Sequence, residues 1–379
     1  MYSITRLVLA SATLFAAMGL LTNAHAKDPV VRSENNDFNL QITGRLNRAL
    51  MAVDDGNQTT LLHVDNNNGS SRVSFVAESN NDGPLMVGAA YEAEFTINNS
   101  ASISQEEGSK NDTQAFEARR AEIYFEHDNL GTLWLGQGDT ATNDVSQRDL
   151  SGTMNAGYSF TSLVGGGILF RDSSTGLLSN TDLGDVSDNL DGFSRNTRLR
   201  YDSPEFGNWE FRTSVINDGA LDASAFYSSR IQGVRVIAAL GIGNASELGD
   251  QTNAPSYDYQ VSGSISARTK QGYNLTFASG RATAIAANAD DLSFFYTKAG
   301  YRSDIFPQIG ETAVSVDWNQ TQNKDQNNDR SDVIGIQLAQ DIDAIDTEAY
   351  ATVRRASLSR DAQSFDDIFI AMVGFRLDF

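Results

Sequence analysis

The residues able to do chemistry in this 379-residue chain are its charges. It has no cysteine, so neither a disulfide framework nor thiol chemistry is available, and His25, His63 and His127 are too few for the usual zinc site. No G-x-S-x-G elbow, H-E-x-x-H helix or phosphate-binding glycine loop occurs. Two nearby carboxylates, as a secreted glycosidase would use, carry no weight among 49 Asp and Glu. Placement is more telling. Arg45, Arg72, Arg120, Arg198 and Arg200 lie in runs where polar and apolar residues alternate, whereas Asp139, Asp144 and Asp149 open a long segment, 138–194, without that period. Arginine stays charged at any working pH, so a row of arginines needs hydrogen bonds and facing carboxylates to hold it. Opposed charges across a narrow water gap create a transverse field that orders water, disfavours apolar solutes and admits small polar ones. That chemistry sorts solutes and makes no bonds.

The elements that must position these charges are short strands. Alternating runs cover 38–52, 71–79, 85–98, 115–127, 131–137, 195–203, 208–217, 221–229, 233–242, 256–267, 271–282, 290–302, 310–320, 331–341, 345–357 and 366–379, separated by stretches rich in Asn, Asp, Gly and Ser. Connections alternate between short ones, such as 128–130 and 204–207, and longer polar ones, such as 53–70 and 99–114; 218–220 is too short for the pattern. The last run, AMVGFRLDF, places Ala371, Val373, Phe375, Leu377 and Phe379 on one face and Gly374, Arg376 and Asp378 on the other, with Ile370 and Met372 misplaced on the wet side. Such a strand needs two solvents. Inside hydrocarbon every backbone polar group must be paired, so a sheet can span only by closing on itself. The expected fold is all-β: a transmembrane antiparallel β-barrel of about 16 strands, an even number. With Val73, Phe75, Ala121, Ile123, Phe125, Leu199 and Tyr201 facing lipid, Arg72, Arg120, Arg198 and Arg200 face the lumen. Arg45 joins them by the same rule, Tyr124 and Trp134 are lumenal aromatics, and Arg48 and Arg119 fall on the wrong parity.

Residues 1–26 carry Arg6, an apolar run from Leu7 to Leu21 and the small residues of Ala24-His25-Ala26, the pattern of a cleaved export signal; residues 27–379 then form a single domain. Mean hydropathy of -0.33 excludes a helical membrane protein, and a formal charge of -21 excludes nucleic acid as a partner.

Three segments, taken with the terminal phenylalanine, resemble the general bacterial porins, the trimeric outer-membrane diffusion channels. They are TGRLNRALMAVDDG (43–56), ARRAEIYFEHDNLGTLWLGQGDTAT (118–142) and LRYDSPEFGNWEF (199–211). The resemblance implies a passive channel for ions and small hydrophilic solutes, not an enzyme. It also implies a third loop, 138–194, folded into the lumen, with Asp139, Asp144 and Asp149 facing the basic wall, while the later aspartates of that segment read as solvated surface. Homotrimer assembly in lipid and lipopolysaccharide of the outer membrane follows from the same likeness. A solute-specific channel for sugars or anions is the alternative; sparse lysines and few lumenal aromatics give it no support. No cofactor is expected, although DNNNG (65–69) and NKDQNNDRSD (323–332) are acidic enough to attract divalent cations.

Overall fold

A computed structural model describes residues 30–32, 37–80, 83–108, 116–248 and 257–379; the expected export signal, 1–26, lies outside them. Sixteen strands, each antiparallel to the next, close into a barrel. They are β1 (Phe38–Asp54), β2 (Thr59–Asp65 continued by Arg72–Ser79), β3 (Leu85–Phe95), β4 (Phe116–His127), β5 (Gly131–Asp139), β6 (Arg195–Asp202), β7 (Trp209–Ile216) and β8 (Leu221–Ile231). There follow β9 (Val234–Asn244), β10 (Tyr257–Arg268), β11 (Tyr273–Ala284), β12 (Leu292–Phe306), β13 (Gly310–Gln322), β14 (Arg330–Ile342), β15 (Thr347–Arg360) and β16 (Ile368–Asp378). Closure comes from β1 pairing with β16, in register from Arg45 opposite Asp378 to Asp54 opposite Phe369. Beyond the last pair, Gly44 N–H donates to Phe379 O at 2.7 Å and Phe379 N–H returns to Gly44 O at 2.9 Å. The terminal strand is thus a stave with no free edge, which is what hydrocarbon requires.

Large apolar side chains stay exposed on the outward face of strand after strand, among them Leu50, Phe75, Leu135, Leu199, Phe211, Leu240, Phe277, Val316 and Ile336. In water this would be an aggregation surface; around a barrel it is the lipid-facing band. In the β6–β7 turn Gly207 takes the left-handed φ of +68°, and Phe206 N–H donates to Trp209 O at 2.8 Å. Trp209 points outward beside this turn, packed on Tyr227 with ring centres 4.8 Å apart, as aromatics do at headgroup depth.

The structure corrects the expected 53–70 loop. Only 55–58 forms a turn there, with Asp55 accepting from the N–H groups of Asn57 and Gln58, and Thr59–Asp65 pairs with β1. TTLLHVD hides its period because the expected sides are reversed: Leu62 and Val64 are buried against a segment inside the barrel, whereas polar His63 shares the outer face with Leu61. The chain then turns inward at 66–71, where Asn66 caps a short 3-10 turn, before β2 resumes. Ile370 and Met372 are explained the same way, since they pack in one cluster with Val164, Ile168 and Phe170 of that inner segment.

Candidate functional site: the constriction

The inner segment, 140–194, leaves the wall and returns to it at one neck, where Thr140 N–H donates to Ser194 O at 2.9 Å. Its neighbours β6 and β7 have only eight residues each, against thirteen to fifteen in β12–β15, so the wall is lowest where the segment crosses it. The tight 217–220 connection belongs to this low stretch, and beside it Ala141 N–H donates to Ser214 Oγ and Thr142 N–H to Asp222 Oδ2. From there the segment follows the inside of the far wall. Ser264 Oγ donates to Val145 O, and Leu150 N–H donates to Ser266 Oγ at 3.0 Å. Lys298 Nζ binds Asp149 Oδ2 at 2.8 Å and Gly157 O at 2.7 Å, while Asn319 Nδ2 donates to Ser159 O and Asn155 Nδ2 to Glu348 Oε1. The loop after β3 also bends inward and clamps the segment, with Gly165 N–H donating to Ser100 O and Ser100 Oγ to Leu163 O.

The near wall, β2 to β6, carries the arginines. Arg72 Nη1 lies 3.2 Å from Glu92 Oε1, and Arg72 Nε donates to Ser70 O. Arg120 Nε and Arg198 Nη2 share Glu122, each at 2.5 Å, and Arg198 Nε donates to Asp139 O at 2.8 Å. Gly138 leaves room for this pair, because a Cβ there would sit 2.4 Å from Glu122 Oε2. Arg200 Nε binds Asp202 Oδ1 at 2.7 Å; Asp202 also accepts from Trp134 Nε1 at 3.0 Å. The Trp134 ring packs on Tyr124, ring centres 4.5 Å apart, and the Tyr124 hydroxyl donates to Glu78. Arg45 sits apart, 3.4 Å from Asp378, in a neighbouring cavity of about 570 Å³ that it shares with Arg72, Glu92 and Glu348.

Parity placed Arg119 on the lipid side, and the structure reverses this. The β3–β4 register slips between Glu92, opposite Arg120, and Ala93, opposite Ala118, so Arg119 is the extra residue of a β-bulge. Turned inward, it binds Glu92 Oε1 at 2.8 Å and Glu94. Arg48 stays out of the cavity, 3.7 Å from Asp65. The wall carboxylates Glu92, Glu94, Glu122 and Asp202 are the partners that the sequence reading missed; the alternation in YEAEF gave the signal for the first two.

Between this wall and the inner segment lies a cavity of about 1080 Å³. Arg72, Arg119 and Glu94 face it from the strands; Asp144, Asp188, Asp191, Tyr158 and Phe160 face it from the segment. Asp139 closes β5 and lies 3.5 Å from Arg195, which also lines the cavity. Asp149 departs from expectation: its side chain is 2% exposed and is held by Lys298 as an anchor, off the cavity. Asp188 and Asp191, expected on the solvated surface, are the inward ones. Asp188 lies 3.0 Å from Lys324 Nζ. Burial, and the neighbouring Asp144, push Asp191 up to about 7.

In both acidic stretches these carboxylates already have partners: Asp65 accepts from the N–H and hydroxyl of Ser71 beside Arg48, and Arg360 holds both Asp325 and Asp329. Among the described residues no group of three His, Asp or Glu is arranged to hold a metal ion.

These features agree with what the chain is similar to. The family model for Gram-negative porins matches residues 7–361. No curated protein sequence matches. Among solved structures, an anion-selective porin from Comamonas acidovorans is 11% identical with a TM-score of 0.60, covering 90% of this chain and 100% of its own. The trimer form of OmpT from Vibrio cholerae is 12% identical with a TM-score of 0.57, covering 90% of this chain and 99% of its own. The outer membrane channel DcaP of Acinetobacter baumannii is 10% identical with a TM-score of 0.57, covering 92% of this chain and 99% of its own. At such identities the likeness concerns the fold, and the selectivity of the Comamonas protein stays with that protein. With the family match spanning nearly the whole chain and the barrel closed around a charged constriction, the chain belongs to the Gram-negative porin family, as an outer-membrane channel for passive diffusion of small solutes.

Proposed function

We propose that ions and small hydrophilic solutes cross between the inner segment and the arginine wall, and that the passage prefers cations. The observation carrying this is the charge lining the larger cavity. Seven carboxylates (Glu94, Glu117, Asp144, Asp185, Asp188, Asp191 and Asp325) stand against four cations (Arg72, Arg119, Arg195 and Lys324). Rings of side-chain charge set ion preference in water-filled pores. Reversal potential in planar bilayers under a KCl gradient tests the reading: K⁺ should pass more readily than Cl⁻, and a Cl⁻ preference would reverse it.

We also infer a homotrimer. Arg48 alternates along β1 with the inward Asn47 and so sits on the outer face, beside Asp65 and His63. Charge on a lipid-facing surface is destabilising by about 2–4 kcal/mol at the bilayer midplane, so a protein neighbour accounts for this face better than hydrocarbon. The trimer form of OmpT supports the same reading. Lipid and lipopolysaccharide would surround the remaining wall. Cross-linking of the purified protein in mild detergent should give a three-subunit product, and monomers alone would refute the assembly. Removal of 1–26 on export is part of this proposal; the mature N-terminus should be Lys27 by mass spectrometry.

A further inference from the structure

We propose that the far wall beneath the inner segment holds a buried water site, formed by Asp317 on β13, Gln337 on β14 and Thr352 and Arg354 on β15, and that bound water completes the joint between the segment and the barrel. None of these residues lines the conducting cavity, so the site does not depend on which ions pass.

The four residues occupy two adjacent rungs of the ladder. Asp317 stands opposite Gly335 and Gly335 opposite Arg354; one rung along, Ser315 stands opposite Gln337 and Gln337 opposite Thr352. None of the four is more than 4% exposed. Yet among the described residues Asp317 Oδ1, Gln337 Nε2, Thr352 Oγ1 and Arg354 Nε have no hydrogen-bond partner. The other ends of two of these groups are held: the Tyr296 hydroxyl donates to Asp317 Oδ2 at 3.0 Å, and Ser315 Oγ donates to Gln337 Oε1 at 2.7 Å while also bonding Thr153 Oγ1 of the segment. Those bonds decide which carboxylate oxygen and which end of the amide are left over. Gly335 brings the remainder together. A Cβ there would stand 2.5 Å from Asp317 Oδ1, 2.6 Å from Gln337 Nε2 and 3.2 Å from Arg354 Cγ, so three side chains converge over this glycine. Buried polar groups are nearly always paired, and four orphans gathered at one place point to a ligand.

The chemistry of the four atoms selects the ligand. Asp317 Oδ1 accepts, Gln337 Nε2 and Arg354 Nε donate, and the Thr352 hydroxyl does either. A cation would meet Arg354 and also Lys298, which stands opposite Asp317 on β12. An anion would meet the Asp317 carboxylate and Asp149, which Lys298 holds. A neutral molecule that both donates and accepts suits both sides, and a buried water makes about three such bonds. Arg354 is the group that gains most. Its Nη2 lies 3.4 Å from Asp317 Oδ2, longer than the about 2.7–2.9 Å of a close charge-assisted bond, and Nη1 reaches Thr161 O of the segment at 3.4 Å. Water on the free Nε and Oδ1 links the same two groups a second time.

The test is a crystal structure of the full mature chain grown with bromide in place of chloride, together with the heat-induced gel-mobility shift of Thr352→Val. The structure should show a peak without anomalous signal at about 2.7–3.2 Å from Asp317 Oδ1 and from Gln337 Nε2 or Arg354 Nε. Direct pairing of Asp317 with Gln337 and no peak between them, a bromide peak, or a peak at the about 2.3–2.6 Å of a bound cation would overturn the site. Thr352→Val keeps the shape of the side chain and removes the hydroxyl. With water bound there, the shift temperature should fall by roughly 2–4 °C, the scale expected when a large domain loses one hydrogen bond. A dry hydroxyl has no bond to lose, so an equal or higher temperature would also overturn the proposal. If the variant gives no folded barrel, the crystal structure decides alone.

Discussion

The near wall and the inner segment carry similar chemistry on different supports. On the wall, Arg72, Arg119, Arg120, Arg198 and Arg200 project from ladder-paired strands, and each meets a wall carboxylate, on its own or an adjacent strand except for Arg198, which reaches across β5 to Glu122 on β4. The segment lies off the barrel ladder and has only a short strand pair of its own, Leu169–Arg171 against Leu178–Asp182. Its carboxylates are fixed by N–H groups and by single cations reaching from the far wall, such as Lys298 and Lys324. The wall therefore neutralises itself, while the segment depends on the barrel around it. Charge on the wall should be hard to unbalance through one residue, and the segment should be easy to release through one.

The largest effect expected from this contrast is at Lys298, which is completely buried. Lys298→Met leaves the Asp149 carboxylate buried and unpaired, a loss of about 3–5 kcal/mol. The segment should detach from β12, seen as raised, noisy single-channel conductance and a lower temperature for the heat-induced gel-mobility shift. Quiet wild-type behaviour would mean that the other anchors suffice.

Next in size is the wall itself. Replacing Arg72 and Arg119 together with alanine frees Glu92 and Glu94, so reversal potential should move toward cations. Adding Arg120→Ala to Arg72→Ala should move it less, because Glu122 keeps Arg198. Equal shifts from the two pairs would contradict the self-neutralising wall.

A smaller effect is expected from pH. Asp191 is raised to about 7 by burial and by Asp144, so it binds a proton as pH falls from 8 to 6. Protonation removes negative charge from the segment side only, and K⁺ preference should fall over that window. Smallest is Trp134→Phe, which removes one hydrogen bond to Asp202, a bond worth about 1 kcal/mol, while Arg200 still holds that carboxylate. Conductance should change little, and a large change would place Trp134 at the narrowest point.

Strand positions and lumenal faces were legible where one side met lipid and the other water, as in AEIYF and YEAEF. They became illegible wherever the interior is not water. TTLLHVD reads as a loop because the inner segment makes its inward face apolar while His63 and Asp65 stand on the outward one, and Ile370 and Met372 break the pattern because they pack on the same inner segment. Arg119 could not be placed because one inserted residue inverts parity locally. Inside 140–194 no period exists, so proximity to the strand end wrongly favoured Asp149 over Asp188 and Asp191. The turn around Pro204 was readable since proline and glycine restrict the backbone whatever surrounds them.

The neck at Thr140 and Ser194 has one more consequence. Because the excursion starts and ends at adjacent points, the ladder from β5 to β6 runs on as though nothing had been inserted. A protease nick within the excursion would leave both stubs rooted in an intact cylinder. Damage there should yield a wider, leakier aperture and no collapse.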